Sequence, residues 1–188
     1  MLFYIDKHLL CKIFRKPKPG YGGSPFYYYV PLLSFLYYSY SKLNKKYTKE
    51  LNKKYTKEEA PTRKQIISGF DYCGLTNLIK CSTNSPDGRS KPSEAMDSNC
   101  IKKFKNELDV ICPKVLVIFT RYNHPSLLVD YFNGFSVTSE KERYRIQKKD
   151  NLYVLELEHP VSTKIKRERK YQSYSNAIYE VVELQKQQ

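Results

Sequence analysis

The stretch KVLVIFT, residues 114–120, is the segment that decides the fold. Residues 115–119 form an unbroken apolar run, most of it β-branched, that begins just after Pro113. This is the pattern of a strand that is buried on both faces, and such strands are typical of parallel sheets covered by helices. We therefore expect residues 115–119 to form an interior strand of a parallel sheet.

Residues 93–111 precede this strand and have the spacing of an amphipathic helix. The apolar side chains that recur every three or four positions are Met96, Cys100, Phe104, Leu108 and Ile111. Lysines occupy the positions between them, as they would on the solvent face of a helix. Pro92 suits the first turn, and Glu94 lies near the positive end of the helix dipole. The sequence thus predicts a helix that leads into the strand at 115–119.

The stretch GLTNLIKC, residues 74–81, stands before the helix and predicts another strand. A polar segment containing proline and glycine connects residues 74–81 to the helix. Strand, helix and strand in this order form a βαβ unit, whose crossover is almost always right-handed. The pattern predicts an open, parallel α/β fold.

Length and charge narrow the class of protein. A chain of 188 residues is long enough for one sizeable core, so we expect a single domain, which we also expect to be a monomer. The formal net charge of +14 favours a polyanionic partner, nucleic acid before membrane. A lysine-rich composition that reflects a biased genome is the alternative.

Two further features bear on where the chain resides. The number of cysteines is 5, an odd number in no tight pattern, and this favours a reduced intracellular protein. Residues 26–40 are nearly all apolar, but this run is shorter than the ~20 residues that span a bilayer, and Pro31 interrupts it. We predict that the run is a core segment or a wall facing the substrate, and not a membrane span.

A basic insertion is predicted at about residues 41–64. Within it, the octapeptide LNKKYTKE occurs at 43–50 and again at 51–58. Two copies are too few for a solenoid. The segment is predicted to be a solvated helix or a loose insertion that contacts phosphates, or a duplication without a function.

Several motifs together resemble the uracil-DNA glycosylase superfamily, most closely its iron–sulfur-containing family 4 type. They are Thr76-Asn77-x-x-Lys80-Cys81, a loop with Asn84, Arg89 and Pro92, then Glu94, Cys100, Pro113-Lys114-Val115-x-Val117, and the last strand with its His-Pro motif, LYVLELEHP at 152–160. A basic segment and a terminal helix follow, and the resemblance covers roughly residues 70–188. It implies a three-layer α/β/α domain with a central, mainly parallel four-stranded sheet. The expected partner is uracil-containing DNA, single- or double-stranded.

The resemblance also implies the roles of individual residues. Asn77 takes the place of the amide that pairs with the polar edge of uracil, and His159 that of the imidazole that hydrogen-bonds O2 in the transition state. Pro19-Gly20 and Pro25-Phe26 resemble the first motif, in which the phenyl ring stacks on the extruded base. The residues expected to contact DNA are Lys80, Val161, Ser162, Lys164, Lys166 and Arg167. A strand-end asparagine and a His-Pro turn are the structural alternatives.

The same resemblance raises the question of a 4Fe–4S cluster. Cys81 and Cys100 resemble two of its four ligands, and Cys11 is a candidate for the third. Buried free thiols are the alternative.

Three functional hypotheses follow. The first is a monofunctional DNA glycosylase that removes uracil or a related deaminated base in base excision repair. The second is a catalytically inactive protein of the same fold that binds nucleic acid, which is favoured because lysine stands where the family has an acidic residue before Pro-Gly. The third is an unrelated α/β protein.

Overall fold

A computed structural model of the chain describes residues 25–47, 61–74, 94–119, 133–158 and 167–188. The elements are α1 (Pro25–Leu43), α2 (Arg63–Ser68), a 3-10 helix (Gly69–Tyr72), α3 (Glu94–Ile111), β1 (Val115–Ile118), β2 (Ser136–Lys141), β3 (Tyr144–Lys149), β4 (Leu152–Leu157) and α4 (Arg167–Lys186). The predicted helix before residue 115, the last strand and the closing helix are confirmed. The strand predicted at 115–119 is present as β1, but among the described strands it lies at the edge of the sheet and not in its interior, because β4 is its one neighbour there. The predicted strand at 74–81 lies outside the described residues after Gly74.

The four strands form one sheet in the order β1-β4-β3-β2. β1 runs parallel to β4, with Val115 opposite Tyr153 and Ile118 opposite Glu156. The other two pairings, β4 with β3 and β3 with β2, are antiparallel. The α/β class and the four-stranded sheet are confirmed, but among the described strands the sheet is mixed rather than mainly parallel.

The antiparallel pairings have a local cause. Lys141 lies opposite Tyr144, and Lys149 lies opposite Leu152, so only two residues connect each pair of strands. A connection of this length joins only antiparallel neighbours, since a parallel crossover needs a dozen or more residues. Asp150 takes a positive φ of 52° in the second turn, a conformation that aspartate tolerates better than most side chains. The sequence of residues 134–151 predicts a connecting hairpin or loop, and the structure has the hairpin, whose strands β2 and β3 extend the sheet.

Alternate side chains of the sheet point to two different layers. On one face, Leu155 and Leu157 of β4 join a core with α1 and α4. On the other face, Val154 packs with Phe104 and Leu108 of α3. The alternation of a strand, with period two, places successive residues on opposite faces. The three-layer α/β/α arrangement is therefore present in the described part of the chain.

Helix α1 is the apolar run that composition marked as core. Leu32 and Leu36 are fully buried, and the prediction of a core segment is confirmed. The helix lies beside α4, where the hydroxyl of Tyr37 donates a hydrogen bond of 2.8 Å to Oε1 of Gln185. Further along, the hydroxyl of Tyr179 accepts a hydrogen bond from the amide of Tyr47 and donates one to its carbonyl, each 2.7 Å long. These contacts hold the first helix and the residues after it against the last.

Of the basic insertion, the structure describes only residues 41–47 and 61–64. Its second end is ordered by a capping box, in which Thr62 accepts from the backbone of Gln65 and the Gln65 side chain accepts from the backbone of Thr62. This arrangement satisfies amides that the first turn of α2 leaves without helical partners. Most of the repeat lies outside the described residues, so its predicted roles remain predictions.

Candidate functional site

The parallel strands β1 and β4 end at the same edge of the sheet. Phe119 directly follows β1, and Glu158 directly follows β4. We call this the carboxyl edge. In α/β sheets, binding groups gather outside the carboxyl ends of parallel strands because the connecting loops leave there. This edge is therefore the candidate functional site.

Tyr174 of α4 joins the elements that meet at the carboxyl edge. Its hydroxyl donates a hydrogen bond to the backbone carbonyl of Glu158. Its ring centroid lies 5.9 Å from that of Phe119 and 5.0 Å from that of Tyr29 in α1. The residue is only 1% exposed, and its burial raises the pKa of the hydroxyl. Tyr174 thus fixes the ends of both parallel strands and the first turns of α1 at one place.

The amino ends of two helices lie at this edge. Tyr29, which contacts Tyr174, is in the second turn of α1, and α4 begins at Arg167, two turns before Tyr174. The two helices are parallel, because Tyr37 and Gln185 meet further along both of them. Helix amino ends carry partial positive charge and favour anions such as phosphate. The edge is thus electrostatically suited to a polyanion.

A lysine and a glutamate are buried at the same edge. Glu158 is 3% exposed, and Lys170, in the first turn of α4, is 7% exposed. Burial lowers the pKa of Lys170, and the nearby carboxylate of Glu158 opposes this shift. A buried charge is costly unless an opposite charge lies near it, so separating Glu158 from Lys170 would be unfavourable. The pair therefore holds the end of β4 near the start of α4.

Two predicted site residues lie in elements that reach this edge. Phe26 is in the first turn of α1, one turn before Tyr29, and Arg167 is the first residue of α4. The structure describes their backbone and not their side chains. His159 follows Glu158 directly and is the first residue beyond the described part of β4. The described backbone therefore brings Phe26 and Arg167 to the edge at which the chain continues to His159.

The remaining predicted residues lie outside the described ranges. They are Cys11, Gly20, Asn77, Lys80, Cys81, Val161, Ser162, Lys164 and Lys166. Their assignments stay predictions.

The described cysteines bear on the predicted cluster only in part. Cys100 is fully buried in the first half of α3. Cys112 is exposed after the end of α3, and its thiol donates to the carbonyl of Asp109 at 3.0 Å. Burial raises the pKa of Cys73, which favours the neutral thiol over the thiolate that a metal requires. Within the described ranges, no group of three or more His, Cys, Asp or Glu residues is placed to hold a metal ion. The cluster remains a prediction, because Cys11 and Cys81 lie beyond these ranges.

Sequence reasoning missed the residues that organise the edge. In the sequence, Tyr174 reads as an apolar position of the terminal helix, Lys170 as part of the basic segment, and Glu158 as part of the last-strand motif. A signal was present, because Lys170 lies four residues before Tyr174 and so on the same face of α4. A lysine in the buried stripe of a helix indicates a buried partner.

Comparisons with models of known protein families, with curated proteins and with solved structures find no match to this chain. Every helix in the described ranges is too short or too polar to cross a membrane.

Proposed function

We propose that this chain is a DNA glycosylase that removes uracil or a related deaminated base. The observation that carries the proposal is the junction at Tyr174. This side chain contacts the second turn of α1, the end of β1 and the end of β4, and these elements carry or lead to Phe26 and His159. Residues that the resemblance assigns to one active site thus belong to elements that meet at one edge.

The proposed reaction is hydrolysis of the bond between the sugar and the base. The base leaves the stack, stacks on the ring of Phe26, and is read by the side-chain amide of Asn77. Water adds to C1′ while the bond from C1′ to N1 breaks, and the electron pair of that bond leaves with the base. His159 donates a hydrogen bond to O2, where negative charge develops, and a proton from the water finally neutralises the base.

Charge supports the proposed partner. The net charge of +14 is accompanied at this edge by the amino ends of α1 and α4. In the sequence, the basic residues Lys164 and Lys166 directly precede Arg167, the first residue of α4. Contacts of this kind neutralise phosphates and release counterions, so binding weakens as salt rises. In this proposal Val161 fills the space that the extruded base leaves, and Ser162 contacts the backbone.

The test is release of uracil from a single-stranded oligonucleotide that carries one uracil, with alkali to reveal abasic sites. We expect strand scission with the wild-type chain and a loss of at least about 100-fold with His159→Ala, since removing one such donor costs this much in related chemistry. His124→Ala is the matched control and should retain activity. Scission that survives in His159→Ala would contradict the role of His159.

The second candidate is a protein of the same fold that binds nucleic acid without cleaving it. The burial of Glu158 favours this candidate. Activation of the attacking water needs a carboxylate that water can reach, whereas the carboxylate of Glu158 is buried beside Lys170. This candidate predicts no scission but a salt-dependent affinity for DNA.

The two candidates share a binding test. Replacing Lys164, Lys166 and Arg167 with Gln should lower the slope of log affinity against log salt by about 0.9 per lost phosphate contact on duplex DNA. The matched control replaces Lys102, Lys103 and Lys105, which are exposed on α3. An equal change in both triple variants would show that net charge acts without a defined surface. An affinity that is insensitive to salt would remove both candidates.

A further inference from the structure

Two cavities lie beside β1. The first, which we call the apolar cavity, has a volume of about 500 Å³ and lies between α1, the 3-10 helix and β1. Its walls are mainly aliphatic or aromatic, and include Val30, Leu33, Val115, Val117, Phe119 and Ile178. A cavity of this size and lining matches those that bind small molecules in proteins.

The second cavity, which we call the basic pocket, has a volume of about 560 Å³. It lies at the opposite end of the sheet from the carboxyl edge, between the last turns of α1 and α4 and the starts of β1 and β4. Three lysines line it, Lys42, Lys114 and Lys186. Among the described residues, no acidic side chain lines it. The three lysines suit the pocket to an anion, and they also offset the partial negative charge of the carboxyl ends of α1 and α4.

The lysines of the basic pocket differ in their partners. Nζ of Lys186 lies 3.1 Å from the carboxylate of Glu183 and 3.2 Å from the amide oxygen of Asn44, so its charge is partly compensated. Lys42 and Lys114 are exposed, and within the described ranges neither forms an ion pair. These two lysines supply the excess positive charge of the pocket.

The two cavities adjoin, because Tyr37 and Lys114 line both of them. Burial raises the pKa of Tyr37, so its hydroxyl stays neutral, and it is held by its 2.8 Å hydrogen bond to Gln185. Tyr37 and Lys114 thus stand at the boundary between an apolar cavity and a basic one. Asp71 is the acidic residue among the described residues of the apolar cavity, and it belongs to the 3-10 helix.

From this juxtaposition we infer that the chain binds an amphipathic anion, an alkyl chain that ends in a carboxylate or a phosphate. The alkyl chain occupies the apolar cavity, and the anionic group lies against Lys114 and Lys42 in the basic pocket. A neutral ligand of the same shape leaves the lysine charges without a partner, and a small inorganic anion leaves the apolar cavity unused. The apolar cavity reaches the carboxyl edge at Phe119, but the anionic group binds at the opposite end of the sheet, so the inference does not depend on the proposed glycosylase activity.

The test is isothermal titration calorimetry of the full chain with hexanoate, octanoate and decanoate, each below its micelle concentration. Affinity should rise about fourfold for each added methylene, the factor expected for burial of a CH₂ group. Octyl phosphate should compete with octanoate for the same site, and the more tightly bound of the two identifies the preferred headgroup. Acetate, inorganic phosphate and 1-octanol should each bind more weakly than octanoate. An affinity that does not depend on chain length overturns the inference.

The lysines are tested by variants that leave the core untouched. Lys42→Gln and Lys114→Gln should each weaken octanoate about fivefold, the effect of losing one exposed ion pair, without changing the binding of 1-octanol. Lys64→Gln is the matched control, because Lys64 is exposed on α2 and lines neither cavity. Equal affinities for octanoate and 1-octanol, or an unchanged affinity in the double variant K42Q/K114Q, would overturn the role of the basic pocket.

Discussion

At the scale of single residues, tyrosine hydroxyls form hydrogen bonds with backbone groups that lie beyond the ends of strands and helices. The carbonyl of Glu158 lies past the end of β4, and Tyr174 supplies its hydrogen bond from α4. In the same way, Tyr179 serves both polar groups of the Tyr47 backbone. A buried backbone group that loses a hydrogen-bond partner is costly, because no water replaces the lost bond. Removing one of these hydroxyls should therefore lower the free energy of unfolding by more than the net value of one hydrogen bond.

Tyr174→Phe tests this at the carboxyl edge. The ring contacts with Tyr29 and Phe119 remain, but the buried carbonyl of Glu158 loses its hydrogen bond. We expect the free energy of unfolding to fall by about 1–3 kcal/mol in chemical denaturation. Tyr72→Phe is the matched control, because Tyr72 is 48% exposed and should change stability little. Equal effects of the two substitutions would show that the bond to Glu158 is unimportant.

At the scale of elements, α1 and the 3-10 helix approach so closely that a side chain would not fit between them. A Cβ built on Gly69 would lie 1.9 Å from the carbonyl oxygen of Pro31. The φ of Gly69 is −58°, a value that any residue adopts, so this glycine is required by space and not by its backbone conformation. The contact holds the wall of the apolar cavity, since the 3-10 helix and α1 both line it.

Gly69→Ala should separate these two elements. The obstructing atom is backbone and cannot move aside like a flexible side chain, so we expect a loss of about 2–3 kcal/mol in the free energy of unfolding, typical of overpacking. Lys64→Ala, at an exposed position of α2, should leave the stability within about 0.5 kcal/mol of wild type. An unchanged midpoint of denaturation in Gly69→Ala would mean that the contact is loose.

At the scale of the whole molecule, tyrosine takes much of the place of other large apolar residues in the core. The chain has 18 tyrosines and no tryptophan. Those that are buried in the described residues include Tyr29, Tyr47, Tyr144, Tyr153, Tyr174 and Tyr179. Burial is the main cause that raises the pKa of Tyr144, Tyr174 and Tyr179 above the ordinary value of 10.0. The neutral phenol is thus part of the folded state.

These pKa shifts predict that the protein unfolds in alkali. A tyrosine with a raised pKa stabilises the fold fully below pH 10, and this contribution is lost as pH rises above 10, by up to about 1.4 kcal/mol per pH unit for each hydroxyl. Lys170 acts in the opposite direction, because its lowered pKa makes its contribution increase as pH approaches 10.5. Tyrosines with raised pKa outnumber this single lysine, so we expect net destabilisation.

The measurement is tyrosinate absorbance together with far-ultraviolet circular dichroism between pH 8 and 13. The buried tyrosines should ionise late and in one cooperative step that coincides with loss of helix signal, while the chain in urea should titrate near the ordinary pKa. If the tyrosines of the folded chain ionised over the same pH range as those of the chain in urea, the prediction would be contradicted.

Local patterns in the sequence determined the elements that carry a strong period. The apolar positions of α3 and the apolar run of β1 were predicted, because burial leaves a pattern that is visible within a few residues. The last strand and the terminal helix were expected from the resemblance. The apolar run of α1 was likewise predicted as core. Phe26 and Arg167 could be proposed for a site because resemblance assigns roles to positions along a chain.

Only the tertiary structure decided which of these elements meet. The sheet is mixed because β4 pairs with β1 on one side and with β3 on the other. The spacing of apolar residues within a strand does not indicate which strand it pairs with. The same holds for Tyr174 at the ends of two strands, for Lys170 beside Glu158, and for the two cavities that share Tyr37 and Lys114. Each is a contact between residues far apart in the chain. A period reports that a residue is buried, whereas its partner is fixed by how all the elements pack together.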